Sequence, residues 1–60
     1  MFYLFYNLIG GGWWLVMEDL ERIVLETHVK KCFSKDSATV IIEDVPGRFG
    51  TNRIFDKPPL

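Results

Sequence analysis

Three consecutive glycines, Gly10-Gly11-Gly12, stand inside an uncharged run from Met1 to Met17, and two tryptophans follow them directly. No other feature restricts the fold so tightly. An apolar segment of this length is at the lower limit for a membrane-spanning helix, roughly 17–25 residues. Each glycine costs a helix about 1 kcal/mol relative to alanine. Asn7 adds a polar group, and the flank that follows is Glu18-Asp19 with only Arg22 nearby, which gives no positive-inside signal. The same glycines adopt positive φ freely, as a hairpin loop with a bulge requires. The sequence therefore predicts two strands, Phe2–Tyr6 and Trp13–Val16, joined by that loop. A single-pass anchor over residues 1–17 is the weaker alternative.

Successive strand residues face opposite sides. Trp13 and Trp14 therefore cannot enter one small core together, and Phe2, Leu4 and Tyr6 oppose Tyr3 and Phe5. A hairpin apolar on both faces needs a helix on one and a further cover on the other. The expected cover is a partner. It would dock on the outward member of Trp13/Trp14 and on Tyr3 and Phe5 as the outer aromatics of the first strand. A variant is a homodimer seam along the edge of that strand.

From Leu20 to Phe33 two periods compete. Arg22, Glu26 and Lys30 line one helical face, with Leu20, Ile23, Val24 and Thr27 beside them. Asp19 is placed as the N-cap, and Lys30-Lys31 fall where the helix dipole favours cations. Ile23, Leu25, Thr27 and Val29 also alternate like a strand, and several are β-branched. The strand version gives a small all-β barrel, whose Gly-Trp-Trp step is similar to the Trp pair of SH3-type domains without their following glycine, proline and tyrosine pattern. The helix is preferred. Ser34–Ser37 reads as a polar turn. Ala38–Ile42 is a nearly all-apolar strand, expected to be central. Val45-Pro46-Gly47 ends it, Gly47–Phe55 is a loop or short arm, and residues 56–60 are an extended tail. The fold class is α+β, β-β-α-β, in a single domain over residues 1–60 with its ordered core at about 2–55.

A chain of 60 residues buries only about 60% of its unfolded surface, so its core is marginal. One cysteine excludes an internal disulfide, and one histidine with one cysteine falls short of a four-ligand zinc site. Five Phe, two Tyr and two Trp are the remaining resource for a core. Seven basic against eight acidic residues give a net charge of −1. That is a poor match to nucleic acid, whose phosphate term demands a basic surplus. Cys32 fits a reducing, cytoplasmic compartment, and Met1-Phe2-Tyr3 offers no positive start of a secretory leader.

Catalytic and cofactor motifs do not stand out. His28 and Cys32 share a helix face at i,i+4, the pairing of an activated thiol, but a chain this small leaves little room for a cleft, and a core-edge cysteine explains them better. Glu18, Asp19, Glu21 and Glu26 read as a helix start and a solvated face. Adjacent Glu43 and Asp44 point opposite ways in a strand. A phosphate loop would space its glycines more widely and carry a lysine before a helix. The expectation is no catalytic residue, no metal and no cofactor. Pro46–Phe55 interleaves Arg48 and Arg53 with Phe49 and Phe55, the residue types of both single-stranded nucleic-acid grips and protein hot spots. The charge balance favours a protein partner, so Arg48, Phe49, Arg53 and Phe55 form the second expected surface.

The order strand, strand, helix, strand, Pro-containing tail resembles that of short phage-encoded proteins that bind and inhibit host machines such as bacterial RNA polymerase. The resemblance is one of layout, from Phe2 to Pro46, and carries no residue-level motif. It implies a non-enzymatic protein-binding module that acts by occlusion. A membrane subunit and a nucleic-acid-binding domain are the alternatives.

Overall fold

A computed structural model of the chain describes residues 1–34, 38–50 and 53–57. The elements are β1 (Phe2–Asn7), β2 (Trp13–Asp19), α1 (Arg22–Cys32), β3 (Thr39–Glu43) and β4 (Ile54–Phe55). They form one antiparallel sheet in the order β3-β1-β2-β4, with the helix against one face. The α+β reading with a leading hairpin holds, and the helix decides against an all-β barrel. The predicted turn at Ser34–Ser37 lies mostly outside the described residues, as do tail residues 58–60.

The glycine triplet makes the β1–β2 loop. Gly10, Gly11 and Gly12 have φ of 95°, 106° and 95°, a region that side-chain-bearing residues rarely enter. Leu8 N–H donates to the Gly12 carbonyl at 2.9 Å, and Gly11 N–H to the Leu8 carbonyl at 3.1 Å. At Gly12 a side chain would also strike Ile54, because a Cβ there would lie 2.9 Å from its Cγ2. Residues 1–17 are thus a hairpin. Among the described residues no helix is long and apolar enough to cross a membrane.

The hairpin contains a bulge. Leu4 opposes Met17 while Phe5 opposes Leu15, so Val16 is an extra residue on β2. Before it, Trp13 and Leu15 share the face of Phe5. After it, Met17 joins the face of Leu4. A plain alternation along β2 would have kept Leu15 and Met17 together.

Strand β2 runs on to Asp19, beyond the predicted end at Val16. The acidic pair expected to start the helix is the end of this strand. The N-cap is Glu21, in extended backbone without a side-chain cap bond. Asp19 instead accepts the Glu21 N–H on its Oδ1 at 2.9 Å, holding the turn between strand and helix. Lys30 and Lys31 occupy the last helical turn as expected, and Phe33 N–H closes it on the Val29 carbonyl at 3.0 Å. The helix prevails over the alternating pattern because it buries Leu25 completely against the sheet face carrying Leu4. Phe33 extends this cover, its ring 5.0 Å from that of Tyr6.

The opposite face carries the larger core. Tyr3, Phe5 and Leu15 are buried with Phe49, and Met1, Trp13, Val40, Ile42 and Phe55 pack around them. The cover comes from the chain itself. After β3 the backbone turns at Val45-Pro46-Gly47-Arg48, with Arg48 N–H donating to the Val45 carbonyl at 3.2 Å. Proline in the second position and Gly47 at φ 75° in the third are the type II pattern. The Tyr3 hydroxyl donates to the Val45 carbonyl at 2.6 Å and accepts the Arg48 N–H at 3.3 Å. This pins the turn over the sheet and delivers Phe49 onto Tyr3 and Phe5.

Two placements differ from the sequence reading. Strand β3 is an edge, not the centre. Its apolar character reflects cover on both faces, by the helix at Ile41 and by the aromatic cluster at Val40 and Ile42. Strand β1 is internal, hydrogen-bonded on both sides by β2 and β3, so it has no edge for a homodimer seam.

Candidate functional site

Tyr3 and Phe5 are fully buried and cannot meet a partner. Alternation correctly separates them from Phe2, Leu4 and Tyr6, but both faces are internal. Phe49 is also core, 7% exposed. Its ring stands edge-on to Tyr3 at 4.8 Å, Phe5 at 5.5 Å and Phe55 at 5.7 Å. Phe55 is half-buried and meets Phe5 at 5.7 Å. The sequence PGRFGTNRIF is therefore chiefly a lid on the chain's own sheet. Its arginines lie outside and stack on that lid, Arg48 5.7 Å from the Phe49 centroid and Arg53 5.2 Å from that of Phe55. Arg48 also meets Asp44 at 3.5 Å.

The Trp pair divides as alternation requires. Trp13, paired with Asn7 and Phe55, packs on the aromatic cluster. Trp14 lies on the helix face between Tyr6 and Ile54. It remains 36% exposed, and Ile54 beside it 63%. Helix α1 packs across β1, β2 and β3 but stops short of Trp14 and Ile54, so the β4 end of this face is left partly bare. Trp14 and Ile54 form a small apolar platform there. Ile54 was missed in the sequence; its alternation with half-buried Phe55 is the signal that could have found it.

On the other flank of the helix a groove of about 300 Å³ runs along β3, lined by Arg22, Glu26, Val29, Lys30, Thr39 and Ile41. Arg22 and Glu26 pair along its helical wall at 3.5 Å.

The polar candidates have structural partners. Cys32 Sγ lies 3.8 Å from His28 Nδ1, so the i,i+4 spacing does bring them together. Cys32 is exposed on the helix surface, and the imidazole's further neighbour is the Phe33 ring at 6.0 Å. Asp44 Oδ1 accepts the Val45 N–H at 2.8 Å and so serves the turn. Among the described residues no three His, Cys, Asp or Glu side chains gather as metal ligands. No protein family, curated protein or solved structure matches this chain.

Proposed function

We propose that this protein is a non-enzymatic binding module that docks on another protein through the Trp14–Ile54 platform. One observation carries the reading. Of the nine aromatic residues, Trp14 is the only large exposed one among those described, and it sits beside an exposed isoleucine on regular sheet. Rigid aromatic anchors are enriched in binding hot spots, and clustered exposed apolar groups mark interaction sites. A chain this small acts by covering a surface. Its layout resemblance to phage-encoded inhibitors points to a large host assembly as the surface covered. The free, exposed Cys32 suits a reducing compartment such as the cytoplasm.

The test is capture from a detergent-free lysate with tagged protein, followed by sizing. A stoichiometric complex lost in Trp14→Ala and in Ile54→Asp, but kept in Leu20→Asp on another surface, supports the reading. Capture indifferent to both platform variants overturns it. So does recovery only with membranes, or binding to nucleic acid that falls steeply with salt.

A further inference from the structure

We propose that the outer edge of β3 is a dimerisation seam, pairing antiparallel with β3 of a second copy across a two-fold axis. This is independent of the Trp14–Ile54 platform, which lies at the opposite side of the sheet.

The two ends of the sheet are protected unequally. At one end β4 is only two residues long, with Lys57 just beyond it. Short strands and lysine are devices that keep an edge from pairing. At the other end β3 offers Thr39-Val40-Ile41-Ile42-Glu43, five residues with no lysine, proline or bulge.

Its hydrogen-bonding phase is fixed by β1. Asn7 N–H donates to the Ala38 carbonyl, and Asp44 N–H to the Met1 carbonyl. In this register Ala38, Val40, Ile42 and Asp44 direct their backbone groups at β1. Antiparallel alternation then turns the N–H and C=O of Thr39, Ile41 and Glu43 outward. These three are symmetric about Ile41. Two copies related by a two-fold through that residue place Ile41 opposite the partner's Ile41, and Thr39 opposite the partner's Glu43. Every outward donor and acceptor of the strand then has a mate.

The side chains agree with that pairing. Thr39, Ile41 and Glu43 share the helix face, and Thr39 and Ile41 line the same groove as Lys30. Bringing Glu43 opposite the partner's Thr39 therefore brings it beside the partner's Lys30, and the symmetry makes this contact twice. Within one copy the two charges stand apart, because Thr39 and Glu43 are separated by about 13 Å of strand. A two-fold normal to the sheet also keeps both helices on one face. The two grooves, with their Val29 and Ile41 floors, then open toward each other across the seam.

Sedimentation velocity over about 1 µM to about 1 mM covers the affinity range of a short seam. The wild type is expected to shift from monomer to dimer. Glu43→Lys or Lys30→Glu alone weakens the dimer about tenfold, and the double exchange restores it. Thr39→Pro removes an outward N–H without touching the β1 ladder and abolishes the dimer, while circular dichroism keeps its wild-type form. A monomer throughout the range overturns the proposal. So does a dimer unmoved by the single charge changes, or one not rescued by the exchange.

Discussion

The helix face and the ring face of the sheet use alternate residues of the same strands, yet they are closed by different means. On the helix face a regular element lies over Leu4, and its own backbone bonds fix its shape. That cover is narrow, and leaves a groove along β3 and a bare platform at Trp14 and Ile54. On the ring face the cover is an irregular segment. Its position depends on the Tyr3 hydroxyl, on the turn at Pro46-Gly47, and on rings that meet edge-on at centroid distances of 4.8 to 5.7 Å. Such contacts add about 0.5–1.5 kcal/mol each beyond area burial. The irregular cover buries Tyr3, Phe5 and Leu15 and lies over most of its face, while the regular one leaves Trp14 and Ile54 exposed. In a small domain the stability then concentrates on the ring face, and open surface for partners concentrates on the helix face.

The sharpest test of that contrast is Phe49→Ala against Leu25→Ala. Truncating a buried Phe costs about 3–5 kcal/mol and a buried Leu about 2–5. A domain of this size has only about 3–9 kcal/mol in total. Phe49→Ala is expected to leave the chain largely unfolded at 25 °C, and Leu25→Ala to leave a folded population, as read by urea denaturation. The reverse order would place the stability on the helix face. Gly12→Ala comes next. Its positive φ costs about 1–2 kcal/mol, and the close approach of Ile54 adds to that, so thermal melting should fall further than for Gly11→Ala, where a Cβ meets nothing within 4 Å.

Tyr3→Phe isolates the pin. Losing a part-buried hydroxyl that serves both Val45 and Arg48 costs about 1–2 kcal/mol. Amide exchange should accelerate first at Arg48 and Phe49, with the helix amides following only through global unfolding. Equal acceleration in α1 would mean that the two covers open as one unit. The smallest effect is expected at Ile54→Ser, within about 0.5 kcal/mol, because that side chain is mostly in solvent. A large loss there would make the platform part of the core.

The contrast also explains what was legible. The hairpin followed from Gly10-Gly11-Gly12, since three positive-φ residues admit few alternatives. The helix followed in outline from the Arg22, Glu26, Lys30 spacing. Its start did not, because Glu18-Asp19 satisfies a strand end as well as a helix start, and the Val16 bulge that lengthens β2 has no local signature. Alternation separated Trp13 from Trp14 and named the right opposing sets in β1. It could not say which set meets solvent. That depends on Phe49, which is distant in sequence and lies in a segment without periodicity, so Tyr3, Phe5 and Phe49 were misread as outward. The edge position of β3 was hidden for a related reason. Cover on both faces makes an edge strand read like a central one.

The hydroxyl bond from Tyr3 to Val45 joins residues 42 positions apart, and this has a consequence during synthesis. At about 5–20 residues per second, the partner of Tyr3 is polymerised roughly two to eight seconds after Tyr3 itself. The second face of the nascent sheet must wait, with Tyr3, Phe5 and Leu15 uncovered until Phe49 leaves the ribosome. The segment that hides these aromatic residues is made well after them.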